Sequence, residues 1–399
     1  MNNFIALILV INLLAIFINK GISIILTTLI IVLFVKMIKD RKYLNTLVVL
    51  LTFIIAIYNY KISIPYFYYG FENLNKATNM EYAKTVIGFI IMALTFSNKK
   101  FVENIYVNIK KFKTLVFIEV SIAQFVILYM LILGKGWLNL WGLNDFVGRY
   151  ATPHPYGYSL IIMAIVIEWL IIEFKNKSLM ILYVIPLCTS FLTGARTPLI
   201  GMLLIFFAIR YLKEEVKFKK VIDMKKRLIL VVTTFGLLAT SPFIFAFVLK
   251  SNIMKKFIET QASGNISNSR FEFWGNLLNA FNNQFGTNEK LFGHGINYTM
   301  IINNATIRSP IWGHSDFIDI LISYGVIMLI IFVIVYMMYF YRLRTLGASK
   351  SMSLLLFTAF VFLSTTNGTV NYSLFTTSIC YLSIYCKSVS DNINNNVAQ

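Results

Sequence analysis

The sequence is a succession of apolar stretches, each about as long as the hydrocarbon of a bilayer is thick, separated by connections in which lysine and arginine are concentrated. A hydrocarbon core of ~30 Å takes ~20 mostly apolar residues of helix. Inside it only helices and closed barrels satisfy their backbone hydrogen bonds. The alternation therefore predicts an all-α, polytopic integral membrane protein with about 12 transmembrane helices, a single transmembrane domain over residues 1–399. The spans are expected to begin near Asn3, Gly21, Leu44, Glu81, Thr114, Tyr158, Leu179, Pro198, Leu228, Phe317, Ser353 and Leu374. Composition agrees: 58% of the 399 residues are hydrophobic and 13% charged, too little polar material to cover a soluble domain. A soluble enzyme, a disordered tail and a secreted disulfide scaffold are excluded. The first apolar stretch has no basic start and leads at Lys20-Gly21 into a second, so it is expected to be a span rather than a cleavable signal. Cys188, Cys380 and Cys386 lie in apolar runs without metal-ligand spacing and read as small buried hydrophobes.

The net charge of +19 invites a polyanionic partner, but its placement argues for membrane orientation instead. Alternate connections carry Lys36, Lys39, Arg41 and Lys42; Lys99, Lys100, Lys110, Lys111 and Lys113; Lys175 and Lys177; the run from Arg210 to Arg227; Arg342, Arg344 and Lys350; and Lys387. With both termini cytoplasmic, all of these face the cytoplasm, and no nucleic-acid partner is needed to explain them. The other side then bears one large extracytoplasmic loop, residues 250–316, between predicted spans 9 and 10, and smaller ones at Lys61–Met80 and Gly134–Gly157. Within the large loop Phe271, Trp274, Leu277, Leu278 and Phe281 recur at helical spacing behind a capping box, Ser269-x-x-Glu272. A short amphipathic helix lying on or against the bundle is expected there.

All three histidines, His154, His294 and His314, fall in these outer loops. Imidazole is the side chain best suited to proton transfer near neutral pH, although a loop histidine is also an ordinary surface residue. His314 stands just before the tenth span in Gly313-His314-Ser315-Asp316, where Asp316 or Asp319 could orient it or simply mark the positive end of a helix. Arg149, Arg196 and Arg270 stand at the same boundary. A guanidinium there either snorkels to headgroups or binds an anion, and its planar fork fits phosphate oxygens. Converging arginines would hold a pyrophosphate without a metal. Glu119 and Glu168 lie inside predicted spans, which keeps a proton-coupled transporter open. No Walker A motif, zinc motif, nucleophile elbow or acidic metal cluster is present, so no cofactor is expected. Chemistry on the outer face would need a preactivated, membrane-delivered donor.

The order of motifs resembles a known family. Gly148-Arg149 and Pro153-His154-Pro155 precede a span, Gly194-Ala195-Arg196 joins two spans, and Ser269-Arg270 with Trp274 follows. Gly293-x-Gly295 and Gly313-His314 then lead into Ser323-Tyr324-Gly325-Val326. This looks like the O-antigen ligase and Wzy-type polymerase superfamily of surface-polysaccharide assembly. The resemblance implies a metal-independent, inverting glycosyltransferase of the bacterial plasma membrane, working on its extracytoplasmic face on polyprenyl-pyrophosphate-linked oligosaccharides as donor and acceptor. It implies His314, Arg270 and Arg196 as catalytic residues, the arginines on the donor pyrophosphate and His314 at the acceptor hydroxyl. Arg149, His154, Trp274, His294 and Asp316 are candidates for substrate binding. The partners implied are the lipid-linked glycans, the bilayer and, as a candidate, a chain-length regulator. The family often has an amide after the histidine, where this chain has Ser315, and a small polar residue where it has Ala195. A polymerase is the first reading; a ligase to another acceptor and a polysaccharide-repeat flippase are the alternatives.

Overall fold

The computed structural model describes residues 2–18, 43–63, 76–140, 143–150, 152–212, 270–296, 298–308, 311–367 and 373–397, with isolated positions at 25, 26, 29, 255 and 258. In chain order the elements are α1 (Asn2–Ile18), α2 (Tyr43–Ser63), α3 (Lys76–Phe96), α4 (Lys99–Lys111), α5 (Lys113–Ile132), β1 (Trp137–Leu140), β2 (Leu143–Phe146) and α6 (Pro153–Phe174). A 3-10 turn (Lys177–Tyr183) leads into α7 (Val184–Leu192), followed by α8 (Arg196–Tyr211), α9 (Arg270–Asn283), α10 (Thr287–Phe292), α11 (Tyr298–Ile307), α12 (Asp316–Leu343), α13 (Lys350–Asn367) and α14 (Ser373–Val397). Ten of the twelve expected spans coincide with these helices. The two beginning near Gly21 and Leu228 lie outside the described residues, as does Ser269 of the expected capping box. Among the described residues three helices are long and apolar enough to cross a membrane by themselves, Lys113–Ile132, Pro153–Phe174 and Asp316–Leu346, and several shorter ones are apolar. A helical, multi-pass membrane protein follows.

The centre of the bundle is α6. Almost every residue from Pro153 to Ile171 is buried, as a helix that is hydrophobic on all sides must be. It packs on α8 and α14, and α8 packs in turn on α13. Glu168 of α6, whose role the sequence left open, is fully buried and accepts from Arg210 Nη1 of α8 at 3.2 and 3.3 Å. Losing one partner of such a buried pair strands the other charge, so this contact ties α6 to α8. At the Glu173 end of α6, the Glu173 carboxylate accepts from Tyr106 Oη (2.7 Å) and Ser388 Oγ (2.5 Å), with Lys110 Nζ at 3.4 Å. That network anchors α4, whose buried residues Phe101, Val102, Ile105, Tyr106 and Ile109 form one helical face. The sequence treated this stretch as a plain basic connection.

Three further differences have local causes. The loop expected over Gly134–Gly157 contains an antiparallel hairpin in which Trp137 faces Phe146, their rings 5.3 Å apart. Period-2 alternation over four residues is too short to register beside twenty-residue spans. Cys188 is exposed, a correction to its reading as buried, because α7 buries Pro186, Thr189 and Ser190 and turns Cys188 away. The amphipathic helix expected near Phe271 is α9, but its buried face is Leu277 and Ala280, joined by Phe285, Ile302 and Ile322, while Phe271 and Leu278 are exposed.

The long helix α12 is broken. At Gly325 the backbone takes φ 79° and ψ 179°, which separates the segment Asp316–Tyr324 from the rest of the span. The loop Gly293-His294-Gly295 fills the break: the His294 N–H donates to the Ile322 carbonyl (3.0 Å) and the Gly295 N–H to the Ser323 carbonyl (3.2 Å). Gly293 and Gly325 touch backbone to backbone, and a methyl added at Gly325 would lie 2.5 Å from the Gly293 nitrogen. Both need a positive φ that a side chain disfavours by roughly 1–2 kcal/mol. Gly325→Ala is therefore expected to cost ~2 kcal/mol or more and to lower the thermal midpoint of the detergent-purified protein. An unchanged midpoint would mean that this interlock bears no strain.

Candidate functional site

Several of the residues singled out in the sequence gather at one end of the bundle, where α6, α8 and α12 all begin. Their N-cap residues, Thr152, Ala195 and Ser315, make no side-chain capping bond. First-turn N–H groups and the helix dipoles there favour negative charge. Arg196 is the first residue of α8 and Arg270 the first of α9. Arg270 is held below the usual arginine range, first by burial and then by the positive charge of Arg196, with the Tyr158 phenol acting in the opposite sense. His314 is pushed down to about 4, first by burial and then by Arg270. Each cation thus feels the next, which makes protonation of His314 unfavourable and gives the cluster an excess of positive charge that an anion would relieve.

Local contacts hold His314 in place. It adopts a left-handed φ of 54°, uncommon for a residue with a side chain and often found at functional sites. The Gly313 N–H before it donates to Asp319 Oδ1 at 2.9 Å, and the Gly313 carbonyl accepts the Trp274 indole N–H at 2.7 Å. Asn303 Nδ2 of α11 donates to the Ile311 carbonyl at 2.9 Å and fixes the same loop from the other side. Asp319, which the sequence offered as a partner for the imidazole, uses its Oδ1 to hold the backbone of this loop. Trp274 links α9, and hence Arg270, to the His314 loop. Trp274→Phe keeps the ring and removes one hydrogen bond worth about 1 kcal/mol. It is expected to loosen the His314 loop with little loss of folded protein, read as about tenfold faster amide exchange over Gly313–Ser315; unchanged exchange would show that the bond positions nothing.

The remaining predicted residues divide. Asp316 is buried in the first turn of α12, two residues beyond His314, and its charge reaches Asp319 and Tyr336. His154 lies in the first turn of α6, one helical turn before Tyr158. His294 is engaged elsewhere, with Nε2 3.2 Å from Glu289 Oε1 and its ring stacked on Tyr298 at 3.7 Å. Its backbone role in the α12 break explains the Gly-x-Gly around it. Arg149 is exposed on the turn ahead of α6. Two neighbours of the cluster were not predicted. Tyr158 acts electrostatically on Arg270, and Asn367, the last residue of α13, donates from Nδ2 to Tyr158 Oη at 3.2 Å. The only sequence signal for them was the polar run Thr365-Thr366-Asn367-Gly368 closing an apolar span.

Comparison with known families is decisive at this point, because residues 181–333 match the family model described as O-antigen ligase. This segment is similar to the O-antigen ligase family. It covers under half of the chain, from the 3-10 turn before α7 into α12, and contains Arg196, Arg270, Trp274, His294, His314 and Asp316. No curated protein matches the chain. The O-antigen ligase match supports a membrane enzyme of polysaccharide assembly acting on lipid-linked glycans, and it leaves polymerase and ligase undivided.

Proposed function

We propose that the protein is an extracytoplasmic, metal-independent, inverting glycosyltransferase of the bacterial plasma membrane that polymerises polyprenyl-pyrophosphate-linked oligosaccharide repeats into a surface or capsular polysaccharide. The observation that carries this is the Arg196–Arg270–His314 cluster, in which two guanidinium groups and an imidazole held neutral share one end of the bundle. The basic connections of the sequence put that end on the outer side, in a twelve-span topology with residues 250–316 as the large outer loop.

The acceptor hydroxyl oxygen attacks the anomeric carbon while the bond from that carbon to the donor phosphate breaks on the opposite face, so the configuration inverts. The hydroxyl proton goes to His314, and the bond's electron pair leaves on polyprenyl pyrophosphate. Arg196 and Arg270 stabilise the charge that grows on this leaving group. With the anion bound, the influence of Arg270 on the imidazole is offset, so His314 becomes more basic when a base is required. A ligase using the same chemistry on a different acceptor is the second reading, favoured by the family description itself.

The test is reconstitution in lipid nanodiscs with polyprenyl-pyrophosphate oligosaccharide, without nucleotide or added metal. Longer lipid-linked glycans accompanied by released polyprenyl pyrophosphate support the polymerase. Transfer only when a different acceptor is supplied favours the ligase, and no release under either condition overturns both.

A further inference from the structure

Three helices meet at the cluster in a register set by two close contacts. Gly157 of α6 faces Pro198 of α8 so closely that a methyl on it would lie 2.5 Å from Pro198 Cβ. Gly201, nearly one turn further along α8, packs in the same way on Leu363 of α13, leaving no room for a side chain. Since α8 runs away from the Arg196 end and α13 runs towards it, the residue one turn past Leu363 is level with the first turn of α8. That residue is Asn367, and the residue after Gly157 is Tyr158. The helices therefore bring Tyr158, Asn367 and the first turn of α8 to one depth, beneath Arg196 and Arg270.

The side chains at that depth are polar and enclosed. Asn367 is 2% exposed and donates from Nδ2 to Tyr158 Oη at 3.2 Å, while its Oδ1 is buried and accepts from no described residue. Ser364, one turn earlier on the same helix, contacts Tyr336 Oη at 3.3 Å. An apolar site would serve packing between spans better, and polar groups inside membrane helices commonly mark substrate sites. The bond from Asn367 fixes the position of the phenol oxygen. The phenol also acts electrostatically on Arg270, in agreement with the common depth set by the helix contacts.

We propose that Tyr158 is a third donor-binding group of the cradle, donating a hydrogen bond from its hydroxyl to a pyrophosphate oxygen, and that Asn367 is the positioning residue that holds it. This rests on the reading of the cluster as a pyrophosphate site and extends it to residues outside the O-antigen ligase segment. A phenol adds what the arginines lack: a short neutral donor that binds the anion without adding to the repulsion among Arg196, Arg270 and His314.

Inorganic pyrophosphate is the probe, read as thermal stabilisation of the full-length protein in nanodiscs, a measurement that needs no turnover. Wild type is expected to be stabilised, Arg270→Ala to lose the effect, and Tyr158→Phe to need about tenfold more pyrophosphate for the same shift. Asn367→Leu is expected to weaken binding severalfold, and the double variant to be no worse than Tyr158→Phe alone, because both changes act through one hydroxyl. If wild type itself ignores pyrophosphate, the reading of the cluster fails. If wild type responds, Arg270→Ala does not, and Tyr158→Phe, folded with its usual unliganded midpoint, matches wild type, then only the role of Tyr158 is overturned. Additive losses in the double variant would remove Asn367 as its positioning partner.

Discussion

Arg270→Ala is expected to lower glycosyl transfer by about 10²–10³-fold, the usual consequence of removing one preorganised donor from a site of developing negative charge, while the protein still inserts and folds. Arg270 is the first residue of α9, and the helix is held to the rest of the molecule by Leu277, Ala280 and the Trp274–Gly313 hydrogen bond rather than by the guanidinium. Truncation therefore removes charge without removing an anchor. It also relieves a buried repulsion with Arg196, so the thermal midpoint should stay level or rise. A folded Arg270→Ala protein with undiminished transfer would eliminate the cradle. Arg270→Lys keeps the charge but loses the planar fork, and should recover only part of the activity.

The second large effect concerns His314. Replacement by Gln should cost about 10²–10⁴-fold, the range of a positioned general base, and should also change the pH profile. In the free protein the imidazole is pushed down to about 4, below the 6.5 of an unperturbed histidine, chiefly by burial and secondly by Arg270. It is therefore neutral, and competent as a base, throughout the neutral range. The acid limb of kcat/KM, which reports the free enzyme, should lie well below pH 6.5, and that of kcat should lie higher once the bound pyrophosphate offsets Arg270. The proposed donor, a pyrophosphate diester, has no proton to lose in this range, so the limbs would belong to the enzyme. The sign for stability follows from the same shift. Between pH 6.5 and about 4 the unfolded chain takes up a proton that the folded chain refuses, so stability from this residue is full above 6.5 and falls as the pH drops through that window. His314→Gln should flatten that part of the stability profile. A His314→Gln enzyme with the wild-type acid limb would assign the limb to another group.

Much of this arrangement was already legible in the residues, and the exceptions share a cause. Arg196, Arg270 and His314 stood out because charged or titratable groups are conspicuous beside apolar spans. Tyr158 and Asn367 did not, because one tyrosine among 22 and one amide closing a span carry no pattern until α6 and α13 are placed side by side. His294, one of the candidates for substrate binding, is paired with Glu289 and stacked on Tyr298. Its sequence neighbourhood was informative for a different reason: Gly293 and Gly295 serve the break at Gly325, thirty residues downstream. The β-hairpin and the buried face of α4 were missed because short or weakly apolar periodicities are masked by the stronger signal of the spans.

By itself the sequence determined that this is a helical membrane protein, roughly where ten of its described helical segments lie, and which charged residues are out of place. Those properties follow from the cost of exposing backbone and charge to hydrocarbon, a cost that each segment meets locally and that can be read one segment at a time. Only the tertiary structure decided which of the displaced residues meet. The neutrality of His314, the commitment of Asp319 to the Gly313 N–H, the interlock of Gly293 with Gly325 and the Tyr158–Asn367 pair all depend on burial and on contacts between segments distant in the chain. Burial and mutual charge are properties of the assembled site, and no window along one strand of sequence contains them.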